Sequence, residues 1–312
     1  KESLLINEPD VFVPSWSGEE RTRSFLKIQD GCDYFCTYCT IPNARGISRS
    51  NSIAETLTAA GKIAGSNARE LVLTGVNIGD FGKHQGESFA ELLLELCRIE
   101  GIDRIRISSV EPDLLHEEII ELVASQPRLM PHFHIPLQSG SDQVLKDMGR
   151  RYDTTLFMKR LEYIRKQIPM ACIAADLIVG FPSETDRLFQ ESYAFIRQAD
   201  ISYVHVFSYS KRDNTRAASL PNEAKPEQIK ERSVIMHRLS EEKRLSFLEQ
   251  NKGQAITVLW EEDVKNGYMH GFTENYIRVK APYDADAVNT LEAGILKDLH
   301  EDGIYTITKT GH

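Results

Sequence analysis

Six short apolar runs alternate with amphipathic helical patterns between residues 25 and 209, and this alternation limits the folds open to the chain. The predicted strands are Phe25–Gln29, Glu70–Thr74, Arg104–Ser108, His132–Leu137, Ala171–Val179 and Tyr203–Tyr209. The predicted helices between them are Ile53–Gly65, Phe89–Arg98, Leu114–Ser125, Thr154–Gln167 and Glu184–Gln198. Such alternation is typical of a parallel α/β sheet, so we predict a partial (β/α)6 barrel whose site lies at the carboxyl ends of the strands.

The pattern changes after Pro226. A charged stretch from Glu227 to Glu249 carries scattered apolar positions and predicts a helix packed across one side of the barrel. Five short β-like runs follow, at Ala255–Trp260, Tyr268–Phe272, Tyr276–Val279, Ile295–Leu299 and Ile304–Ile307. They predict a small antiparallel, OB-like barrel. The predicted parts are a polar connector at 1–24, an α/β domain at 25–250 and a small all-β domain at 251–312.

The composition is ordinary for a globular protein, with 41% hydrophobic and 27% charged residues. No apolar run approaches the roughly twenty residues that span a bilayer, and the first nine residues are not organised as a signal peptide. A net charge of −9 argues against indiscriminate nucleic-acid binding. Few cysteines, most of them on one loop, predict a cytoplasmic location.

The loop after the first predicted strand carries Cys32, Cys36 and Cys39 in the spacing C-x3-C-x2-C. Cysteine thiolates are the usual ligands of cubane iron–sulfur clusters, and three of them leave the fourth iron open. Zinc is the alternative, and Cys97, Cys172 or a histidine would then have to supply the fourth ligand of a structural site. A disulfide fits poorly because three cysteines on one loop leave an odd thiol.

If an adenosyl cofactor binds the open iron, the strand ends must supply its hydrogen bonds. After the second strand, Gly75 permits close backbone approach and Asn77 can bond an amino group, although a plain turn explains both residues. At the third strand, Ser109 and Glu111 alternate with Ile107 and point into the barrel mouth. Glu111 there can hold a ribose hydroxyl or cap the following helix.

The fourth predicted strand carries two histidines. His132 and His134 share parity with Gln138 and can point inward as zinc ligands, although hydrogen-bonded core histidines are the better interpretation. Gln138 and Ser139 lie where the strand leaves the barrel, so they are stronger ligand candidates.

Charged residues complete the set of candidates. Arg150 offers a guanidinium suited to a carboxylate or phosphate, with an exposed helix-end arginine as the alternative. Asp176 would be costly to bury in its apolar strand, so it belongs to a site or to a buried polar network. Lys211 and Arg212 follow the sixth strand, where they can meet substrate phosphate or remain solvated.

Taken together, these residues resemble the methylthiotransferase branch of the radical S-adenosylmethionine (SAM) enzymes. The segments that carry the resemblance are Asp30–Pro42, Ala44–Gly46, Ser108–Pro112, His134–Gly140, Gly180–Thr185 and His205–Arg212, with Gly271–Ile277 similar to a C-terminal TRAM domain. Within the branch, the cysteine loop and the His205–Arg212 stretch are most similar to those of enzymes acting on threonylcarbamoyl-adenosine in tRNA. Enzymes acting on isopentenyl-adenosine in tRNA, or on a ribosomal-protein aspartate, are the next choices.

The resemblance implies a [4Fe-4S] cluster on the three cysteines, with Tyr38 beside the open iron and SAM bound there. SAM cleavage would give a 5′-deoxyadenosyl radical that removes hydrogen from C2 of the adenine. A methylated sulfur would then come from an auxiliary [4Fe-4S] cluster. The family holds that cluster in an N-terminal domain that this sequence lacks, so we expect a catalytic and TRAM portion whose activity alone is incomplete.

The resemblance also implies partners, namely tRNA and an electron donor such as flavodoxin or ferredoxin, with no membrane and a monomeric state. Arg45, Lys211 and Arg212 are the predicted phosphate contacts. Because the C-terminal region is acidic, we expect RNA to be recognised by stacking, with the aromatic candidates Phe272, Tyr276 and Trp260. A zinc-dependent RNA-binding module is the non-enzymatic alternative.

Overall fold

The computed structural model describes residues 12–17, 22–221 and 224–309, so most of the predicted connector 1–24 lies outside the described residues. The strands of the α/β part are β1 (Ser15–Trp16), β2 (Arg23–Lys27), β3 (Gln29–Asp30), β4 (Arg49–Ser50), β5 (Glu70–Thr74), β6 (Arg104–Ile107), β7 (His132–Gln138), β8 (Cys172–Val179) and β9 (Tyr203–Ser208). The helices are α1 (Ile41–Arg45), α2 (Ile53–Ala64), α3 (Phe89–Leu96), α4 (Glu117–Ser125), α5 (Asp142–Met148), α6 (Thr154–Gln167), α7 (Asp186–Gln198) and α8 (Pro226–Asn251). The C-terminal strands are β10 (Ala255–Lys265), β11 (Tyr268–Thr273), β12 (Arg278–Pro282), β13 (Leu291–Leu299) and β14 (Tyr305–Lys309).

The α/β part is built on two sheets of parallel strands. β2, β5 and β6 pair in parallel, and so do β7, β8 and β9. The two sheets meet where Ser109 bridges His134 and Ile105 bridges Leu129. Because all six strands run in one direction, their carboxyl ends and the loops that follow gather at one edge. The predicted order of six parallel strands with helical connections is confirmed.

The helices begin and pack as their sequences dictate. Ser52 and Ser88 start α2 and α3 with capping boxes, in which the side chains of Glu55 and Glu91 bond back to the first turn. The apolar faces of the helices cover the sheets and form one large core with the inward strand residues. None of the described helices is both long enough and apolar enough to cross a membrane.

Three local predictions need correction. The predicted strand Phe25–Gln29 is two strands, because the pairing with β5 ends at Lys27 and β3 pairs instead with β4, which closes the base of the cysteine loop. The helix predicted from Leu114 begins at Glu117, because the N–H of Leu114 bonds the Glu111 carbonyl in a turn. β1, inside the predicted connector, pairs antiparallel with β2.

The C-terminal part is a small closed barrel in the strand order β10-β11-β12-β14-β13. β12 and β14 pair in parallel, and the other neighbours pair antiparallel. Trp260 lies fully buried in its core, and its indole Nε1 donates to Glu292 at 2.8 Å. The prediction that Trp260 stacks on RNA is therefore wrong, because no face of the ring reaches solvent.

The small barrel docks on the amino-terminal ends of the parallel strands, opposite the cysteine loop. Arg104 donates to the carbonyls of Phe272 at 2.9 Å and Thr257 at 2.6 Å. Arg106 donates to the Glu274 carbonyl at 3.0 Å. These buried guanidiniums join the two parts through backbone acceptors, which fixes where the small barrel sits.

Phe272 and Tyr276 lie inside this contact. Their rings stack on each other with centroids 4.7 Å apart, the Arg23 guanidinium lies 4.7 Å from the Phe272 centroid, and His132 lies 4.7 Å from Tyr276. Protein groups therefore occupy the ring faces that we expected to stack on RNA. The structure corrects that prediction, because both rings serve the contact between the two parts of the chain.

Candidate functional site

The base of the cysteine loop is fixed by the fully buried side chain of Gln29. Its Nε2 donates to the Ser48 hydroxyl at 2.9 Å and to two carbonyls of the loop. Its Oε1 accepts the N–H groups of Val76 at 3.0 Å and Asn77 at 2.7 Å. One amide thus joins the two ends of the loop to the turn after β5, so the loop has a rigid base.

The three cysteines of the loop are free thiols. Burial raises the pKa of Cys32 to about 11 and also raises that of Cys36, against the opposing charge of Arg150. Arg150 Nη1 lies 3.2 Å from Cys36 Sγ, and the Ile41 N–H lies 3.4 Å from Cys39 Sγ. N–H donors stabilise ligating thiolates, so Cys36 and Cys39 each have one donor suited to a cluster ligand.

The cysteines do not converge on one point. Within the residues that the structure describes, no three histidine, cysteine, aspartate or glutamate side chains are grouped closely enough to hold a single metal ion. In a cubane cluster each thiolate binds its own iron, so the cysteine sulfurs lie apart, at different corners of the cluster. The donor set on this loop fits such a cluster, and Cys32, Cys36 and Cys39 would hold it.

Arg150 lies at the centre of a buried polar group beside the loop. Only 3% of its side chain is exposed, and it forms an ion pair with Glu111. Its Nε donates to the Tyr152 hydroxyl at 2.9 Å, and Nη1 reaches the Tyr38 hydroxyl at 3.4 Å. Burial raises the pKa of Glu111, and the Arg150 charge opposes that rise. The alternative of an exposed helix-end arginine is therefore wrong.

A cavity of about 420 Å³ opens beside the loop. The residues that line it include Tyr38, Cys39, Gln138, Asp176 and Arg212. Gln138 adopts a left-handed backbone (φ 69°) at a bulge in the pairing of β7 with β8. The strict alternation assumed for this strand therefore ends before Gln138, which takes its place in the cavity wall through the bulge.

One cavity residue was missed by the sequence reasoning. Phe207 is half exposed although it is a large aromatic residue, and it lines the cavity near the end of β9. An exposed aromatic face is a stacking platform for a nucleobase. Its position in the sixth strand, two residues after His205, was the available signal.

Asp176 belongs both to the candidate site and to a polar network, the two environments predicted for it as alternatives. Its Oδ1 lies 2.8 Å from His134 Nε2, and His134 Nδ1 lies 2.9 Å from the Ser109 hydroxyl. The His205 ring lies 5.4 Å from that of His134. Asp176, His134 and Ser109 thus form a continuous polar chain that ends at the cavity, in which both nitrogens of His134 have partners.

The two histidines of β7 do not act together. His132 is buried against Tyr276 at the end of the strand that contacts the small barrel. Burial, reinforced by the Arg106 charge, holds the pKa of His132 well below its usual range, so it stays neutral. The preferred interpretation of hydrogen-bonded core histidines therefore fits neither residue in full, because His132 Nδ1 has no partner among the described residues and the His134 side chain is 23% exposed.

Three candidates are occupied by structural contacts. Ser139 is fully buried, and its hydroxyl accepts the N–H of Ser141 at 3.2 Å, so it does not reach the cavity. A Cβ on Gly75 would lie 2.9 Å from the Gln29 carbonyl, so tight packing of the turn explains this glycine. Arg45 is half exposed and pairs with Asp30 at 3.2 Å.

Asn77 retains an unused acceptor. Its side chain is buried and its Nδ2 donates to Asp80 at 3.1 Å. Its Oδ1 has no partner among the described residues. An unpaired buried carbonyl is costly, and an amino group of a bound cofactor would satisfy it. Neither Asn77 nor Lys211 is among the residues that line the cavity, whereas Arg212 is.

Substituting Gly31 by alanine is expected to disrupt the loop. Gly31 has φ +71°, and an added Cβ would lie 1.9 Å from the Ile47 carbonyl oxygen. Backbone cannot yield to such a contact cheaply, so we expect a loss of about 3 kcal/mol or more and a several-fold lower iron content after anaerobic reconstitution. Thermal unfolding and iron analysis measure both effects.

Gly61→Ala is the matched control for this substitution. Gly61 lies within α2, and a Cβ there meets nothing within 4 Å. We expect it to stabilise the chain by about 0.5–1 kcal/mol, since alanine is the better helix former. A Gly31→Ala chain that melts and loads iron like the native one would contradict the described loop geometry.

The chain matches the model of the Radical SAM superfamily over residues 26–196. Among solved structures it is similar to coproporphyrinogen III oxidase (HemN) of Escherichia coli, with a TM-score of 0.51, 18% identity and coverage of 76% of this chain and 54% of that one. It is also similar to the radical SAM methyltransferase TsrM of Kitasatospora setae, with a TM-score of 0.53, 15% identity and coverage of 62% and 38%. At these identities the likeness supports the fold alone.

Curated relatives are more similar in sequence. The "Threonylcarbamoyladenosine tRNA methylthiotransferase MtaB" of Bacillus subtilis is 39% identical over 276 residues, which are 86% of this chain and 61% of that protein. The protein of the same name from Thermotoga maritima is 35% identical over 308 residues, covering 97% and 70%. The "tRNA-2-methylthio-N(6)-dimethylallyladenosine synthase" of Pelotomaculum thermopropionicum is 34% identical over 257 residues, covering 81% and 57%.

The chain spans about three fifths of the length of the Bacillus subtilis relative. The superfamily match implies a [4Fe-4S] cluster and SAM, and the three thiols of the loop fit that cluster. The chain therefore belongs to the radical SAM superfamily, in the family of enzymes that the MtaB-named tRNA methylthiotransferases represent.

Proposed function

We propose that this chain carries the radical-forming site of an enzyme that adds a methylthio group to C2 of threonylcarbamoyl-adenosine in the anticodon loop of tRNA. The observation that carries the proposal is 35% identity over 97% of the chain to the Thermotoga maritima protein named for this reaction. The cavity beside the cysteine loop supports it, because it combines an exposed aromatic ring, Phe207, with a rim cation, Arg212.

The residues of the site have separable tasks in this proposal. When bound, the cluster and SAM supply a radical able to remove the hydrogen on C2 of the adenine. Asn77 Oδ1 accepts a hydrogen bond from the amino group of SAM. Gln138 and Asp176 hold the nucleoside of SAM from the cavity wall. Phe207 stacks on the substrate base, and Arg212 pairs with the carboxylate of the threonyl group or with a phosphate.

The transferred sulfur is assigned to an auxiliary [4Fe-4S] cluster outside these 312 residues. The two cysteines beyond the loop, Cys97 after α3 and Cys172 buried in β8, cannot supply the three thiolates of a second cluster site. In this proposal the complete enzyme acts in the cytoplasm, as a monomer, and receives electrons from a flavodoxin or ferredoxin. The small closed barrel is assigned as the TRAM domain, at 251–312.

The test is mass spectrometry of tRNA nucleosides from cells that lack the full-length gene. We expect the methylthio derivative of threonylcarbamoyl-adenosine to disappear while its precursor accumulates. The full-length gene should restore the derivative, and the same gene carrying Cys36→Ala should not. An unchanged methylthio nucleoside profile in the deletion strain would refute the assignment to tRNA.

Methylthiolation of dimethylallyl-type adenosine in tRNA is the second candidate. The 34% identity to the Pelotomaculum thermopropionicum protein favours it. Its substrate carries an apolar group where threonylcarbamoyl-adenosine carries a carboxylate, so a cation at the cavity rim favours the first candidate. The same nucleoside spectra decide, because each candidate predicts the loss of a different methylthio species. The ribosomal-protein alternative predicts that neither is lost.

A further inference from the structure

Arg150 is joined to the cluster loop by a direct contact to a ligand sulfur. Its Nη1 lies 3.2 Å from Cys36 Sγ, across 114 residues of chain. The guanidinium is almost completely buried, and so is the hydroxyl of Tyr152 that accepts its Nε–H. A buried cation beside a ligand sulfur acts on the charge of whatever that sulfur binds.

The donors of Arg150 are nearly all committed. A guanidinium has five N–H groups. Here one meets the Tyr152 hydroxyl, two meet Cys36 and the Tyr38 hydroxyl, and one meets Glu111. This leaves a single N–H, too few for the paired grip on a carboxylate or phosphate that we expected of Arg150. The geometry therefore directs Arg150 toward the loop and away from an external anion.

The balance of charge around Cys36 is set by two side chains. Arg150 contributes a positive charge next to the sulfur, and the Glu111 carboxylate compensates it from the other side. The remaining neighbours of the guanidinium, Tyr38 and Tyr152, are phenols that contribute no formal charge. Changing either member of the Arg150–Glu111 pair thus changes the net charge beside the cluster by one unit.

We propose that Arg150 and Glu111 together set the reduction potential of the cluster held by Cys32, Cys36 and Cys39. A hydrogen bond and a positive charge at a ligand sulfur stabilise the reduced cluster, which carries one more electron. Arg150 raises the potential and makes the one-electron reduction easier. Glu111 limits the rise. The proposal depends on the cluster site and is independent of the tRNA substrate.

The test measures the potential of the reconstituted 312-residue chain without SAM or tRNA. The cluster is titrated anaerobically with dithionite and redox mediators, and its magnetic spectrum reports the reduced fraction. When both proteins are poised at the native midpoint potential, the ratio of reduced to oxidised cluster should be about tenfold lower in Arg150→Gln than in the native chain. For a one-electron couple this corresponds to a midpoint potential about 59 mV lower. Glu111→Gln should raise the ratio, and Arg150→Lys should fall between Arg150→Gln and the native chain.

Arg151→Gln is the matched control. Arg151 is the next residue, is exposed, and donates to the Asp33 carbonyl at 2.6 Å without contacting a cysteine. Its substitution should leave the ratio within twofold of the native value. A native potential in Arg150→Gln, or shifts of the same sign in Arg150→Gln and Glu111→Gln, would overturn the proposal. If Arg150→Gln fails to assemble a cluster, an unchanged or lowered potential in Glu111→Gln overturns it.

Discussion

Substituting Cys36 by alanine is expected to abolish both the cluster and the cleavage of SAM. Cys36 is the central cysteine of the loop, its thiol is buried, and Arg150 donates to its sulfur. Two remaining cysteines cannot hold a cubane that needs at least three protein thiolates here. Removing a residue that only hydrogen-bonds a metal ligand lowers activity roughly 10–100-fold, and we expect the loss of SAM cleavage in Cys36→Ala to be larger. Optical spectra and chromatography of 5′-deoxyadenosine measure the two effects after anaerobic reconstitution.

Cys97→Ala controls for the loss of a thiol as such. Cys97 is a half-buried cysteine at the end of α3, packed against the main core and remote from the loop. Its substitution should leave the spectrum and the cleavage of SAM within twofold of the native chain. Retention of SAM cleavage by Cys36→Ala would show that the loop does not hold the cluster that cleaves SAM. A colourless native chain with stoichiometric zinc would do the same.

The chemistry of the loop was predictable because it is local. Three cysteines within eight residues fix their own proximity, whatever the rest of the chain does. The groups that surround them come from distant segments. Arg150 meets Cys36, and Glu111 meets Arg150, only because β6, β7 and the turns after them end at the same edge. The sequence indicated Arg150 as a ligand for a carboxylate or phosphate, but nothing in it predicted the contact with Cys36.

The fold was predictable where hydrophobic periodicity is strong. β5 and α6 have the predicted bounds, and the six parallel strands lie in the predicted order. The failures have tertiary causes. Alternation along β7 breaks at the bulge before Gln138, and Trp260 and Phe272 are covered by packing that composition cannot reveal. Aromatic residues of an isolated β segment look equally available for RNA and for a core.

Substituting Arg106 by alanine is expected to destabilise the chain by about 3–5 kcal/mol, because it leaves a buried carboxylate without its partner. Arg106 pairs with Glu70 through two hydrogen bonds, at 2.8 and 3.0 Å, and both side chains are less than 5% exposed. It also donates to the Glu274 carbonyl and lies 4.7 Å from the Tyr276 ring centroid. The substitution therefore weakens both the amino-terminal end of the parallel sheet and its contact with the small barrel.

The pH dependence identifies the cause of this loss. Burial alone would raise the pKa of Glu70, but Arg106 outweighs it and holds that pKa below its usual value. In the native chain this pair stabilises the fold above the unfolded pKa of Glu70, and the contribution is lost as the pH falls through the folded pKa. Without Arg106 the pKa of Glu70 rises, so acidification protonates the stranded carboxyl and narrows the difference between variant and native chain.

Urea unfolding between pH 7 and pH 5 measures both the loss and its pH dependence. The exposed Arg98, which pairs with Glu95 on the surface of the α/β part, is the matched control, and Arg98→Ala should cost less than about 1 kcal/mol. Substituting Arg106 and Glu70 together by methionine should recover most of the loss, since no unpaired charge then remains. An Arg106→Ala loss that persists in the double variant would assign the effect to lost packing against Tyr276 and not to the carboxylate.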